Sequence, residues 1–88
     1  MQDERYFRTS SWNTALFLFV KGEMELADID KISNPKRSTF VFLDRPNREE
    51  LLHAFEYGKE GDPTVMVDAR KMILATRQLK EKLYADRF

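Results

Sequence analysis

The chain contains no cysteine, one histidine and three glycines among its 88 residues. Without cysteine it can form neither a disulfide framework nor a thiolate metal site, which favours a reducing, cytoplasmic setting. The glycines occur singly, so a phosphate-cradling loop is excluded. The one histidine, His53, would have to act in every scheme in which a base activates a nucleophile. We therefore expect a protein that is not an enzyme, with no catalytic residues, cofactor, metal or small-molecule substrate.

The chain also lacks net charge and long apolar segments. Its 15 basic and 15 acidic residues cancel, so no global field attracts nucleic acid or an anionic membrane. The longest apolar run, residues 15–20, has six residues, whereas a membrane-spanning helix needs roughly 20. The 42% apolar composition is sufficient for one small core. The sequence thus predicts a single globular domain over residues 1–88 without a membrane span.

The apolar run at residues 15–20 is the most informative segment that the chain does contain. Thr9 or Ser10 could cap a helix ahead of it, and Gly22 could end that helix. A strand is the alternative, because phenylalanine and valine favour sheets and a run this short is ambiguous. Of the two structures we predict the helix.

A helix over this run would be apolar on both sides. Its broad face would enter the core, and that face contains Trp12, Ala15, Leu16, Phe19 and Val20. Phe17 and Leu18 would point the other way, where either a partner or the two later helices or the N-terminal strand of the same chain has to cover them. Of the two we favour the partner. We therefore expect a homodimer or a complex with another protein. The residues expected at that interface are Trp12, Phe17, Leu18 and Tyr84.

The rest of the chain predicts an α+β fold with a small antiparallel sheet of three or four strands and helices packed on it. The expected order of elements is β-α-β-β-α-(β)-α. The third strand, residues 38–43, is apolar on both faces and should be central. Alternation slips near Ala27 in the second strand, which indicates a bulge. The optional edge strand would cover residues 64–67.

Two more helices are expected, and both follow the third strand. Asn47 and Glu50 have the spacing of a capping box at the start of the first of them. Asp68 should cap the second. That last helix should bury one stripe along its length, and the stripe consists of Ala69, Met72, Ile73, Thr76, Leu79 and Leu83.

The only histidine lies among carboxylates on the helix that starts near Asn47. His53 shares one side of that helix with Glu49, Glu56 and Glu60. Such a set could hold a divalent metal or form a proton-transfer pair. A solvated charged face is the simpler interpretation, and we favour it.

The last helix has an excess of basic residues, which indicates a second kind of partner. Basic residues and Tyr84 share one stripe of it, an arrangement that could contact phosphates or stack on bases. The candidate nucleic-acid contacts are Arg70, Lys71, Arg77 and Lys82. The alternative is structural, because lysines suit the negative end of a helix dipole and arginine stems cover apolar surface.

Short motifs spread over nearly the whole chain resemble those of a known family. In order they are Tyr6-x-Arg8-Thr9, Ala15-x-x-Leu18 with Lys21-Gly22, Thr39-Phe40-Val41-Phe42, Glu50-Leu51 with Tyr57, Val67-Asp68, and Leu79-Lys80 with Tyr84. The family consists of short uncharacterised proteins of prokaryotes and their phages, a domain of unknown function. The resemblance implies a bacterial, archaeal or phage origin and provides no catalytic residues to transfer.

The sequence supports two functional hypotheses. The first is a non-catalytic accessory module that associates with itself or binds another protein. The alternative is a nucleic-acid-binding accessory or regulatory protein that uses the basic last helix.

Overall fold

The computed structural model describes residues 5–34 and 36–85. The strands in these ranges are β1 (Tyr6–Thr9), β2 (Leu26–Asp30) and β3 (Thr39–Leu43). The α-helices are α1 (Trp12–Val20), α2 (Arg48–Tyr57) and α3 (Ala69–Leu83). The order β-α-β-β-α-α confirms the small α+β fold, and α1 confirms the helix predicted over residues 15–20.

The prediction of an edge strand at residues 64–67 is wrong. Pro63–Val65 form a single 3₁₀ turn instead. Asp62 caps this turn, because its carboxylate accepts a hydrogen bond from the Thr64 amide at 2.9 Å. The fixed φ of proline suits the first position of a helical turn. Local capping therefore overrides the strand-like composition of this segment.

The sheet is antiparallel in the order β1-β3-β2. The third strand is therefore central, as predicted, and β1 and β2 pair with its two edges. The register between β2 and β3 shifts between Leu26 and Asp28. This shift confirms the bulge expected at Ala27.

The two faces of the sheet have different surroundings. Phe40 and Phe42 of β3 belong to the hydrophobic core, together with buried residues of all three helices. Val41 points to the other face, where it is buried but stands outside that core cluster. Its register partners are Arg8 of β1 and Asp28 of β2. Charged side chains therefore border the second face of the sheet.

Helix α1 is covered on both sides by its own chain, which corrects the expected interface. Phe17 and Leu18 are only 3% and 0% exposed. Phe17 stacks on Phe55 of α2, with ring centroids 4.4 Å apart and ring planes at 13°. On the sheet side, Trp12 lies edge-on to Phe40 at 6.0 Å. A helix that is apolar all round is buried, and α1 contacts β1, α2 and α3.

The start of α1 also differs from the expectation. Ser11 is the N-cap, and its hydroxyl oxygen accepts a hydrogen bond from the Thr14 amide at 3.2 Å. Of the two expected caps, Thr9 accepts from the Ser11 amide at 3.1 Å, and Ser10 hydrogen-bonds Thr39 of β3 at 3.0 Å. Ser10 and Ser11 have the same intrinsic capping preference, so the path of the chain from β1 selects between them.

The end of α1 combines a close backbone approach with a lysine tether. Gly22 is buried, and a Cβ at this position would lie 2.8 Å from the carbonyl oxygen of Leu18. Lys21 donates hydrogen bonds from its ammonium to the carbonyl oxygens of Pro63 at 3.2 Å and Met66 at 3.0 Å. The 3₁₀ turn is thereby tied to the end of α1.

Helix α2 begins with an ion pair rather than with the expected capping box. Asn47 occupies the cap position, but its side chain makes no cap hydrogen bond. Arg48 binds Asp44 at two points, with Nε–Oδ1 at 3.0 Å and Nη2–Oδ2 at 3.1 Å. The guanidinium carbon of Arg48 also lies 4.3 Å from the centroid of the Phe7 ring. This Asp44–Arg48–Phe7 cluster joins β1 to the segment between β3 and α2.

We expect Asp44→Asn to lower the free energy of unfolding by about 1–2 kcal/mol near neutral pH. The side-chain hydrogen bond from Arg48 lowers the pKa of Asp44, so the folded protein keeps this carboxylate charged to lower pH than the unfolded chain does. The stabilisation is therefore complete above about pH 4, the ordinary pKa of aspartate. It is lost as the pH falls through the lower folded pKa.

Urea unfolding of the parent and the variant across a pH series checks this. The difference in unfolding free energy should be present at neutral pH and close in acid. A difference that stays constant into strong acid, or none at neutral pH, would contradict the role of the pair. Arg48→Lys is the matched control, because it keeps the charge but loses the two-point geometry, and it should cost part of the same free energy.

Candidate interaction surfaces on helices α2 and α3

Helix α3 turns most of the predicted stripe inward, but not all of it. The inward residues are Met72, Ala75, Thr76, Leu79 and Leu83. Ala69 and Ile73, expected in the buried stripe, are exposed instead, and Ala75 is buried in their place. The helix is therefore rotated about its axis relative to the prediction, toward the side of Ala75. Its cap is as predicted, since Oδ1 of Asp68 accepts a hydrogen bond from the Arg70 amide at 2.8 Å.

This rotation leaves a mixed apolar and basic surface on the outside of α3. We define the α3 outer face as Arg70, Ile73, Leu74, Arg77, Glu81 and Tyr84, all of which are exposed. Ile73 is 63% exposed and Leu74 is 49% exposed. Protein interfaces are enriched in arginine and aromatic residues around a buried apolar centre. The α3 outer face has this composition.

The four candidate nucleic-acid contacts are all exposed, but they do not form one patch. Arg70 and Arg77 are seven residues apart on α3 and therefore lie on one line along the helix. Lys71 and Lys82 lie on another line, roughly 120° away around the axis. Lys71 borders a cleft with the end of α1, and Lys82 borders one with β2. The four candidate contacts thus lie on two separate sides of α3.

Arg70 already has a partner, although an exposed one. Its guanidinium Nη2 lies 3.4 Å from Oδ2 of Asp68, and the Arg70 side chain is 91% exposed. Hydrogen bonds from the Arg70 amide and from its side chain lower the pKa of Asp68. Ion pairs this exposed contribute little to stability, so Arg70 can exchange Asp68 for another carboxylate at small cost.

The outside of α2 has the opposite charge. We define the α2 outer face as Glu49, Glu50, His53, Glu56 and Tyr57, all of which are exposed. The rings of His53 and Tyr57 are in contact, with centroids 5.2 Å apart and planes at 50°. His53 thus lies on an exposed charged face, next to an aromatic ring. The result is an acidic surface with an aromatic pair at its centre.

An open groove of about 900 Å³ runs between α2 and the loop at residues 58–64. Glu50, His53 and Asp62 contribute polar side chains to it. Asp62 already accepts the hydrogen bond that caps the 3₁₀ turn. Within residues 5–34 and 36–85, no group of three or more His, Asp or Glu side chains is placed to hold a metal ion.

The residues predicted for the protein interface are not brought together on one surface. Phe17 and Leu18 lie in the core, Trp12 is half-buried against Phe40, and Tyr84 is half-exposed at the end of α3. Ile73 was expected in the buried stripe and is exposed instead. A signal was present, because residues 72–74 are three consecutive apolar residues and span about 200° of a helix. They cannot all enter one buried stripe.

Comparisons with known proteins identify a family but no characterised relative. The family model described as "Domain of unknown function (DUF5659)" matches residues 4–85. No curated protein and no solved structure matches the chain. In the part of the chain that the structure describes, no helix has the length and apolar content needed to cross a bilayer.

Two leucines of α3 provide a matched test of the orientation of this helix. Leu79→Ala removes a fully buried side chain and should lower the free energy of unfolding by about 2–5 kcal/mol. Leu74→Ala removes a side chain from the α3 outer face and should change it by less than about 0.5 kcal/mol. Urea unfolding of both variants measures the difference. Equal losses, or a larger loss for Leu74→Ala, would show that α3 has a different face inward.

Proposed function

The chain belongs to the DUF5659 family, a domain of unknown function, and we propose that it is a non-catalytic protein-interaction module. The binding surface in this proposal is the α3 outer face. The observation that supports it is the exposure of Ile73 and Leu74 between two arginines of the same helix. Burying aliphatic side chains of this size contributes roughly 1.5–3 kcal/mol each, and arginine is a frequent energetic centre of interfaces.

The surface of α1, which the sequence analysis favoured, does not serve in this proposal. Phe17 and Leu18 are buried inside the chain and would be released only by unfolding. The proposed binding surface is therefore on α3 and not on α1. Tyr84 remains part of the candidate surface, because it lies at the end of α3 and is half-exposed.

Nucleic-acid binding is the second candidate. Five basic residues and one acidic residue on α3 support it. Phosphate contacts need several basic groups that follow one backbone, and the four candidate contacts divide into two lines of only two each, with Lys80 on neither line. We therefore rank this function below protein binding.

The proposal also includes a cytoplasmic location and a bacterial, archaeal or phage source. The cysteine-free composition is compatible with the first. The second follows from the resemblance of the short motifs.

Site-specific photo-cross-linking tests the proposed surface. A benzophenone side chain replaces Leu74 in one variant and Ser33, in the exposed loop between β2 and β3, in the control. We expect protein adducts from position 74 in the producing cells and few from position 33. Adding Arg70→Glu and Arg77→Glu to the Leu74 variant should remove most of them, because both arginines flank position 74.

The same experiment separates the candidate functions. Adducts that disappear after nuclease treatment would favour nucleic acid over protein. Equal yields from positions 33 and 74, or no adducts from position 74, would contradict a role for the α3 outer face.

A further inference from the structure

We propose that the partner of the α3 outer face is the α2 outer face of a second copy of this chain. The copies then associate head to tail, with two different surfaces in contact. This inference rests on the proposed function, because it names the occupant of the same surface. It adds the acidic α2 outer face as a second binding site on each molecule.

Charge complementarity between the two helices is the first argument. Helix α3 carries five basic residues and one acidic residue. Helix α2 carries three glutamates and one arginine, and that arginine, Arg48, is bound to Asp44. The net charge of the whole chain is zero, so the two helices concentrate opposite charges on separate surfaces. A second copy offers each surface its complement.

The spacing of the charges is the second argument. Arg70 and Arg77 are seven residues apart on α3, and Glu49 and Glu56 are seven residues apart on α2. Two helical turns separate the members of each pair by about 10.5 Å along the axis and leave them on nearly the same line. Two parallel or antiparallel helices can therefore form both Arg–Glu pairs at once.

The side chains between the two arginines and those between the two glutamates can also pack on each other. Leu74 lies between the two arginines of α3, and His53 lies between the two glutamates of α2. His53 contacts the exposed ring of Tyr57, so an aliphatic side chain on one copy would meet an aromatic pair on the other. Such a contact adds burial of apolar surface to the ion pairs.

The α2 and α3 outer faces do not contact each other within one molecule. Both outer faces are exposed in the single chain, and α2 and α3 each pack on α1. Contact between the faces therefore requires a second copy. A single such contact leaves one unused surface of each kind, so the copies form a ring, an open chain or, where both contacts close at once, a two-fold dimer. We expect the association to be weak and to decrease with salt, because exposed ion pairs form much of it.

Two charge-reversal variants test the inference by complementation. The first, Arg70→Glu with Arg77→Glu, loses the α3 outer face and keeps the α2 outer face. The second, Glu49→Lys with Glu56→Lys, has the reverse defect. At low salt the parent should sediment faster as its concentration rises, and each variant alone should remain monomeric. An equimolar mixture should associate, because the unchanged α2 outer face of the first variant meets the unchanged α3 outer face of the second, and the two reversed faces are also opposite in charge.

A matched control separates this from a general effect of charge. Lys71→Glu with Lys82→Glu makes the same change in net charge on the other side of α3. It should self-associate like the parent. Thermal unfolding should show all of these variants folded, since every changed residue is exposed. If a reversal variant unfolds, the milder pairs Arg70→Gln with Arg77→Gln and Glu49→Gln with Glu56→Gln replace it.

The outcomes are distinct. A parent that is monomeric at every concentration, or a mixture that remains monomeric, overturns the inference. Association of the Glu49→Lys, Glu56→Lys variant alone would also overturn it, because that result indicates a symmetric contact between α3 helices. If the parent is monomeric while position 74 still cross-links to a different protein, the proposed function stands and only the inferred partner is wrong.

Discussion

The whole architecture depends on covering helix α1, which is apolar around nearly its entire circumference. The chain meets this constraint with its own residues. The sheet covers one side, where Trp12 meets Phe40, and α2 covers another, where Phe17 stacks on Phe55. Because α1 contacts both α2 and α3, its burial determines which faces of those helices turn inward.

Covering α1 leaves apolar and charged side chains of α2 and α3 exposed on the outside of the molecule. Small domains bury a smaller fraction of their surface than large ones. Once α3 has turned Ala75 and Leu79 inward, Ile73 and Leu74 remain in solvent beside two arginines. Once Phe55 of α2 has met Phe17, the glutamates of α2 face outward. The surfaces proposed for interaction are thus those that the packing of α1 leaves exposed.

The sequence was sufficient to predict the order of the elements, the central strand, the bulge near Ala27 and the Asp68 cap, because each depends on local pattern or composition. The sequence was not sufficient to predict which part of the structure covers Phe17. A helix that is apolar all round has no preferred direction in its pattern, so only tertiary packing shows what covers each side. The same reason applies to Ile73, whose exposure depends on the rotation of α3 against α1. The opposite charges of α2 and α3 were visible in the sequence, but the match in their spacing required the outward faces to be known.

Amide hydrogen exchange of α1 in dilute solution is the most direct test of whether the chain covers this helix by itself. We predict that the α1 amides exchange only through global unfolding, at a rate that does not change when the protein is diluted. Exchange in α1 that becomes faster on dilution would show that a second copy protects the helix. That result would contradict the assignment of Phe17 and Leu18 to the core of a single chain.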